Sequence, residues 1–480
     1  MSELINLSLL ETVNLIKNKK ISVKEIIEAY IKRLDETEKY NMLSEKNYDE
    51  ALYLANKIDS KKKEEFSPLD GIPIAVKDIF CTKGNKTTAS SKILNNFVSP
   101  YESTVTKNLK KAGAIVICKT NMDEFAMGSA SDTCFKGEVI NPWTDDFSKP
   151  LTPGGSSGGS AAVVAANGSC FSLGTDTGGS IRQPASFCGN VGLKPTYGRC
   201  SRFGIIAFAS SLDQAGPITK TVEDAALMLQ SMSSFDNKDS TSSKVEIPYF
   251  LDFKDVKLES KKIGIPKEYY LDGLNEDIKN VWEDGITWFK KIGAEIIDIS
   301  LPHTSSALPT YYIIAPAEAS ANLARYDGVK YGFRKEGEDL KDLYSQTRGN
   351  GFGEEVKRRI MIGTYVLSAG YYDAYYLKAL KVRKLISIDF DNAFKQCDLI
   401  LTPTTPNVAF PIGEKQTDPI EMYLNDVLTV PASLAGLPAL SVSSGYNKEK
   451  LPIGLQIIGK PFDEVSVLAA GKLIEECRGF

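Results

Sequence analysis

Near its amino terminus the chain carries an amphipathic pattern with helical spacing. Residues 22–34 begin with Ser22 and Glu25, which are spaced as a capping box. One helical face of this segment carries Val23, Ile26, Ile27, Tyr30, Ile31 and Leu34. The pattern predicts a helix that packs its apolar side on a core.

Short apolar runs alternate with helical patterns along the rest of the chain. The predicted strands are 72–76, 114–118, 170–173, 262–265, 295–299, 399–401, 439–442 and 454–459. The predicted helices are 105–111, 161–166, 277–292 and 354–385. This alternation predicts an α/β fold in which a mixed β-sheet is covered by helices on both faces.

The length bears on domain organisation. At 480 residues the chain exceeds the ~250–300 residues at which one core usually stops growing. We interpret it as a single α/β domain with an amino-terminal helical part at about 1–65 and a core at about 66–230. A polar linker at about 231–258 then leads to the carboxy-terminal part of the same core, 259–480, which carries a helical insertion.

Composition narrows the class of protein. The net charge of −4 argues against a nucleic-acid-binding surface. No apolar run reaches the ~18 residues of a membrane span, and the first residues lack the pattern of a signal or transit peptide. Eight scattered cysteines without a Cys-x-x-Cys pair, and the single histidine His303, offer no zinc site. We expect a cytoplasmic protein with reduced thiols and no bound metal, in which His303 is a surface residue without a catalytic role.

Three segments carry the candidate chemistry. Lys77 follows the apolar run 72–76, and two glycine-rich turns downstream contain Ser156 and Ser180. Because the chain has one histidine, a Ser-His-Asp triad would depend on His303 alone. If the protein performs nucleophilic acyl chemistry, a lysine must therefore be the base.

The environment of Lys77 decides whether it can be that base. A lysine accepts a proton only when it is neutral, and burial can lower its pKa by several units from ~10.4. The preceding apolar run makes burial of Lys77 at a strand end plausible. The alternative is that Lys77 pairs with Asp78 or another acid and stays charged.

The two serine turns have the composition of an oxyanion site. Residues 177–180 offer successive N–H groups without bulky side chains, and such a nest can hold a developing oxyanion. The glycines of 154–159 allow unusual backbone geometry, in which Ser156 could relay a proton between Ser180 and Lys77. The alternative for these turns is a flexible or phosphate-binding loop.

Taken together, the three segments resemble the amidase signature family, whose Ser–cis-Ser–Lys triad has the same order along the chain. The resemblance implies that Ser180 is the nucleophile and Lys77 the base. It also implies that Ser156, which would follow a cis peptide bond from Gly155, is the bridging serine.

The resemblance extends beyond the triad. It implies that Thr177, Gly178 and Gly179 supply N–H groups to an oxyanion hole. Residues 211–217 and 452–456 match further parts of the family pattern, so the resemblance covers nearly the whole chain.

One branch of the family, the A subunits of glutamyl-tRNA(Gln) amidotransferases, is resembled by residues 121–128, 194–204, 356–363 and 370–376. In that branch the subunit hydrolyses free glutamine and passes the ammonia to a partner. The partner uses ATP to convert Glu-tRNA(Gln) into Gln-tRNA(Gln). The resemblance implies a heterotrimer with B and C subunits, in which ATP, Mg²⁺ and most tRNA contacts fall to the B subunit. It implies no cofactor in this chain.

Free glutamine brings a carboxylate and an ammonium that a site must pair. An arginine fork suits the first and an acid the second. The family pattern assigns these roles to Arg359 and Asp426, with Tyr311 nearby, and Arg358 fits the motif as well as Arg359 does. The alternatives are a surface helix charge for Arg359 and a helix-end acid for Asp426.

Other functions fit the sequence less well. The segment 454–460 has the glycine and lysine spacing of a P-loop, but Pro461 follows it and offers no hydroxyl for Mg²⁺. A nucleotide-binding protein is therefore a remote alternative. A non-catalytic scaffold with a degenerate site is equally remote, because Lys77, Ser156 and Ser180 are all present. A stand-alone amidase that hydrolyses small amides is the near one, since the same triad would serve it.

Overall fold

The computed structural model describes residues 4–62, 65–271, 274–414 and 419–479. Within these residues, eleven strands form one sheet in the order β1-β3-β2-β4-β6-β5-β10-β11-β9-β7-β8. In chain order the strands are β1 (Leu43–Lys46), β2 (Pro73–Lys77), β3 (Ile115–Thr120), β4 (Phe171–Asp176), β5 (Val191–Lys194), β6 (Gln214–Thr219), β7 (Lys262–Pro266), β8 (Glu295–Ile299), β9 (Leu399–Pro403), β10 (Ala439–Tyr446) and β11 (Pro452–Gly459).

Fifteen α-helices accompany the sheet in the described ranges. They are α1 (Leu9–Lys17), α2 (Val23–Glu36), α3 (Tyr48–Asp59), α4 (Thr104–Lys111), α5 (Gly158–Ala165), α6 (Arg182–Cys188), α7 (Val222–Met232), α8 (Glu276–Lys291), α9 (Ala307–Asn322), α10 (Leu340–Gly351), α11 (Glu354–Val366), α12 (Lys378–Ala393), α13 (Pro419–Leu424), α14 (Val430–Leu434) and α15 (Glu464–Cys477). None of these described helices combines the length and the apolar character that crossing a bilayer requires.

The sheet is mixed, as the sequence predicts. Parallel pairs join β2 with β3 and β4 on one side, and β7 with β8 and β9 on the other. The strands between them pair antiparallel. The prediction of a mixed sheet is confirmed, and strands from before and after residues 231–258 share it.

Helices cover both faces of the sheet. On β10 the neighbouring residues Leu440 and Ser441 point to opposite faces, because side chains alternate along a strand. A Cβ at Gly471 of α15 would lie 2.2 Å from Leu440, whereas Ser186 of α6 and Ser441 flank Gly454 on the other face. Helices α15 and α6 therefore sandwich the centre of the sheet, and this prediction is also confirmed.

The sequence analysis does not predict strands β5 and β6. Both are fully buried, yet β6 reads Gln-Ala-Gly-Pro-Ile-Thr and β5 reads Val-Gly-Leu-Lys. Glycine and proline disfavour strands in isolation, so neither segment shows a strand pattern. Pairing with β4 and β10 on either side overrides that local preference.

The single helical region predicted at 354–385 is wrong. Helix α11 ends at Val366, a short π-helical segment spans Tyr372–Leu377, and α12 runs on to Ala393. Gly370, between them, has φ +87°, a left-handed conformation that glycine adopts readily. The aromatic residues that follow continue the apolar pattern through this break, which hides it in the sequence.

The polar stretch predicted as a linker is held against the core. Its first residues belong to α7, and two of its acids, Asp236 and Asp239, are buried. Asp239 pairs with Arg202 at 2.6 Å, and Asp236 accepts a hydrogen bond from Ser201 at 2.7 Å. Polar composition alone cannot separate a solvated linker from one whose polar groups are satisfied by the core. The division of the chain into parts stays a prediction.

Candidate active site

Lys77 is the last residue of β2, and its side chain is completely buried. Its Nζ lies 2.7 Å from Ser156 Oγ, 2.8 Å from Ser157 Oγ and 2.9 Å from Thr175 Oγ1. These three hydroxyls match the three donor positions of a lysine ammonium. The predicted meeting of Lys77 and Ser156 is present, with Ser157 and Thr175 as additional contacts.

The alternative in which Lys77 pairs with Asp78 is wrong. Asp78 lies in the turn after β2, and its carboxylate is not among the described hydrogen-bond partners of the Lys77 amine. Asp78 Oδ1 lies 3.2 Å from Nζ of Lys119, which is on the adjacent strand β3. Asp78 also accepts hydrogen bonds from the N–H and hydroxyl groups of Thr88. Asp78, the carboxylate adjacent to Lys77 in the sequence, is therefore already paired with Lys119 and Thr88.

Burial lowers the pKa of Lys77 to about 7, because a charged amine loses its hydration there. Asp123, Asp176 and Asp213 oppose this shift from a distance. The amine also lies beside Ser157, directly before α5, where the positive end of the helix dipole disfavours a second positive charge. A neutral fraction near pH 7 is what a general base requires.

The turn that carries Ser156 is fixed on several sides. The peptide bond between Gly155 and Ser156 is cis, as the family resemblance implies. The Gly155 N–H donates to Gln183 Oε1 at 2.8 Å, and the Asp123 N–H donates to the Ser156 carbonyl at 3.2 Å. The Ser157 N–H donates to the Ser180 carbonyl at 3.2 Å. This last contact joins the two serine turns.

Residues 177–180 follow β4 and turn towards α6. Among the described residues, no hydrogen bond occupies the N–H groups of Gly178, Gly179 or Ser180. The next N–H group, that of Ile181, donates to Asp176 at 3.3 Å. The segment therefore has the free N–H groups that an oxyanion hole requires.

A buried ion pair closes this loop at its base. Asp176, at the end of β4, receives two hydrogen bonds of 2.9 Å from Arg182, at the start of α6. Arg182 also donates to Thr429 O at 3.0 Å and Gln456 Oε1 at 2.5 Å. The pair fixes both ends of the nest and connects it to β11.

Tyr311 and Asp426 lie at the same nest, as the resemblance implies. A Cβ at Gly178 would lie 2.8 Å from the Tyr311 ring, and one at Gly179 would lie 3.1 Å from Asp426 Oδ1. Asp426 Oδ2 accepts a hydrogen bond from Ser129, whereas its buried Oδ1 has no partner among the described residues. Burial raises the pKa of this carboxyl to about 7. An unpartnered carboxylate oxygen in this position suits an ammonium group.

The two adjacent arginines of α11 have different environments. The Arg359 side chain is 3% exposed and stands among the rings of Phe208, Tyr312 and Tyr423, at 5.2–5.6 Å from their centres. The Arg358 side chain is 46% exposed. Both pair with Glu355, Arg359 through its Nε at 2.8 Å. The alternative of a surface charge is therefore wrong for Arg359 and describes Arg358.

A cavity of about 280 Å³ adjoins these residues. Its wall includes Arg359, Tyr423 and Ser129, the last of which is hydrogen-bonded to Asp426. Ser180 is not among the lining residues, and 8% of it is exposed. The cavity therefore lies beside Arg359 and Ser129, away from the Ser180 side chain.

Comparison with known proteins agrees with this geometry. The sequence profile of the Amidase family matches residues 25–468. The A subunit of the glutamyl-tRNA(Gln) amidotransferase from Pelagibacter ubique is 58% identical over 476 residues, which cover 99% of this chain and 97% of that protein.

This chain belongs to the amidase family. Within it, the identity to such A subunits places the chain in the branch that the sequence resemblance indicates. The A subunit from Thermotoga maritima is 40% identical, and its crystal structure matches with a TM-score of 0.81, covering 98% of this chain and 95% of that one. A bacterial aryl acylamidase of the family has a TM-score of 0.86 at 25% identity, covering 98% and 96%. The amidase fold is therefore shared across activities, whereas identity separates the branches.

Several residues of this amidase site were not singled out from the sequence. Ser157 and Thr175, which contact Lys77, and Asp176 and Arg182, which close the nest, all lie in the glycine-rich segments that drew attention to the serines. Their positions next to the two serines were the sequence signal that could have pointed to them. Thr429, whose hydroxyl donates to the Gly178 carbonyl at 2.7 Å, is far away in the sequence and had none.

The remaining sequence candidates lie outside the site. The P-loop-like segment forms β11, in the middle of the sheet, as its apolar pattern predicts. His303 is partly exposed and pairs with Asp389 at 3.0 Å. Within the described ranges, no cluster of three or more His, Cys, Asp or Glu residues could hold a metal ion.

Proposed function

We propose that this chain is the glutamine-hydrolysing subunit of a tRNA-dependent amidotransferase. It releases ammonia from free glutamine, and a partner uses this ammonia with ATP to convert Glu-tRNA(Gln) into Gln-tRNA(Gln). The observation that carries the proposal is a buried lysine amine held by Ser156 and two further hydroxyls, in a chain that is 58% identical to the A subunit from Pelagibacter ubique.

The proposed reaction begins with the Ser180 hydroxyl. Its oxygen bonds to the side-chain amide carbon of glutamine, while its proton passes through Ser156 to the neutral amine of Lys77. The carbonyl oxygen becomes an oxyanion, which the free N–H groups of Gly178 and Gly179 stabilise. When the oxyanion collapses, the C–N bond breaks, and the nitrogen leaves as ammonia with the proton that Lys77 returns through Ser156. Water then attacks the glutamyl ester, which releases glutamate and restores the Ser180 hydroxyl.

The substrate end groups meet opposite charges in this arrangement. Among its described hydrogen bonds, Arg359 uses only Nε, so the terminal nitrogens can take the glutamine carboxylate as a fork. Asp426 takes the ammonium through its unpartnered Oδ1. Tyr311 packs on Gly178 and forms a wall of the site.

The subunit names of the relatives support a multi-subunit complex, and the roles of its partners are part of the proposal. An A subunit implies a complex with other subunits. We place ATP and Mg²⁺ on a B subunit, together with most contacts to tRNA, and a C subunit completes a heterotrimer in the cytosol. The net charge of −4 supports this division, since tRNA recognition would favour a basic surface.

Ser180→Ala tests the proposed function directly. The variant, assembled with the B and C subunits, should lose glutamine-dependent amidation by about 10⁴-fold or more, because it lacks the nucleophile. Amidation with added ammonium should stay at the wild-type level. Loss of both activities would contradict the division of labour. Robust hydrolysis of other amides by the wild-type chain alone, unaffected by partners, would instead make it a stand-alone amidase.

The two neighbouring arginines provide a matched test of substrate binding. Arg359→Lys should raise the KM for glutamine about tenfold or more, because a lysine cannot make the forked contact. Arg358 also borders the cavity, but its side chain is 46% exposed and a lysine keeps the charge. Arg358→Lys is therefore the control, and it should leave KM within about twofold. Equal effects of both substitutions on steady-state glutaminase kinetics would contradict the assignment.

A further inference from the structure

The buried carboxyl of Glu124 has no role in the reaction as described. It is 2% exposed and accepts hydrogen bonds from the Ser91 hydroxyl and from the Gly353 N–H, the latter at 2.8 Å. It also forms part of the wall of the cavity beside Arg359. Burying an acid is costly unless it is well paired, so this arrangement calls for a reason.

Glu124 contacts the residue from which α11 begins. Gly353 is the N-cap of α11 and, as a glycine, has no side chain with which to cap the helix. Its Cβ would lie 2.4 Å from Glu124 Oε2, so no other residue fits there unless Glu124 moves. In a capping box a glutamate of the helix itself bonds the N-cap N–H. Here a distant segment supplies that carboxylate, 229 residues away in the chain.

Helix α11 carries the groups that would recognise glutamine. Arg359 lies in its second turn and pairs with Glu355 of its first turn. On the buried side, Gly363 packs so closely on α9 that a Cβ would lie 1.9 Å from the Pro316 carbonyl oxygen. The helix is therefore held at its start by Glu124 and near its end by α9.

The residue before Glu124 contacts the other half of the site. The Asp123 N–H donates to the Ser156 carbonyl at 3.2 Å, and a Cβ at Gly155 would lie 2.0 Å from Asp123 Oδ2. The dipeptide 123–124 therefore touches the serine turn with one residue and the start of α11 with the next.

We propose that Glu124 is a positioning residue for substrate binding, which holds the start of α11 so that Arg359 stands at a fixed place relative to the serine turn. This inference rests on the proposed function, because it concerns the binding of glutamine through its carboxylate. It assigns to Glu124 no contact with the reacting atoms.

Kinetics of Glu124→Ala and Glu124→Gln, in the assembled complex, test the inference. Glu124→Ala should raise the KM for glutamine about tenfold, with kcat changed less than about threefold, because Arg359 is displaced while the triad is kept. Glu124→Gln should stay within about threefold of the wild-type KM. Its amide oxygen can accept from the Gly353 N–H, and its NH₂ group can donate to the Ser91 hydroxyl.

A second substrate separates positioning from general damage. Propionamide has no carboxylate for Arg359, so its kcat/KM should be the same for Glu124→Ala and the wild type. Ser22→Ala, which removes the hydroxyl cap of the remote helix α2, is the stability control and should leave both substrates unaffected. If Glu124→Ala does not fold, Glu124→Asp, whose carboxylate is one carbon shorter, should show the same rise in KM on a smaller scale.

The outcomes distinguish the two proposals. No glutaminase activity in the wild-type complex would overturn the proposed function. Wild-type activity together with an unchanged KM in Glu124→Ala would overturn only the positioning role. Equal losses on glutamine and propionamide, or no rescue by Glu124→Gln, would overturn it as well.

Discussion

Two buried lysines on neighbouring strands have different kinds of partner: one is bound by hydroxyl groups and the other is paired with a carboxylate. Among the described residues, the amine of Lys77 on β2 has only hydroxyl oxygens as hydrogen-bond partners, from Ser156, Ser157 and Thr175. Lys119 on β3 pairs with the Asp78 carboxylate and also donates to the Phe80 carbonyl at 2.8 Å. Both side chains are completely buried.

Strand register explains why the partners do not mix. Lys77 is paired with Thr120, whose hydroxyl bonds Ser160 of α5, so both side chains face that helix. Lys119 is paired with Val76 and points to the other face, as Asp78 does. A sheet one residue thick thus separates a lysine that has a counter-ion from one that does not. Lys77, which has no counter-ion, is the lysine that can become neutral and act as a base.

Removing the amine of Lys77 should have the largest effect on activity. Lys77→Met keeps much of the side-chain length but lacks the base, so glutaminase activity should fall by about 10⁴-fold. The free energy of unfolding should change less than in Lys119→Met, because no charge is left behind in the core. Steady-state kinetics and urea unfolding check both parts. Residual activity above about a tenth of the wild type would refute the role of Lys77.

The reverse pattern is expected for Lys119→Met. Asp78 then loses its ion-pair partner inside the protein, and the free energy of unfolding should fall by about 3–5 kcal/mol. The double substitution Asp78→Asn with Lys119→Met removes both charges and should recover part of this loss in urea unfolding. A single variant as stable as the wild type would show that the pair contributes nothing to the fold.

The pH dependence should also separate the two lysines. Burial lowers the pKa of Lys77 to about 7, so kcat for glutamine should fall about tenfold per unit as the pH drops below that value. Its folded pKa lies below the unfolded value of ~10.4, so this group makes the free energy of unfolding rise with pH between the two. Lys77→Met should lack that rise in stability.

Asp426 provides the control for the pH profile. Burial raises its pKa to about 7 as well, and protonation would weaken ammonium binding, which acts mainly on KM. Asp426→Asn should therefore keep the fall in kcat at low pH while its KM is raised throughout. If kcat no longer falls at low pH in this variant, the fall in the wild type is caused by protonation of Asp426 instead of Lys77.

The candidate triad residues stand out in the sequence because their signals are local. Lys77 ends an apolar run, and Ser156 and Ser180 stand in glycine-rich turns. The contacts of Lys77 with Ser157 and Thr175 could not be predicted, because they depend on how α5 and β4 meet the end of β2. Likewise, the π-helical break after Gly370 leaves no clear trace in an apolar pattern that continues across it.

The sequence by itself determined the α/β class, since periodicity is a property of short segments, and its resemblance to the amidase family pointed to Lys77, Ser156 and Ser180 as the candidate triad. Only the tertiary structure decided which of Arg358 and Arg359 is buried. Neighbours on a helix point about 100° apart, and the packing of α11 on α9 determines which one is buried. It also decided that Asp78 serves Lys119 and leaves Lys77 to the hydroxyls, because partners across a sheet are set by the register of strands far apart in the chain.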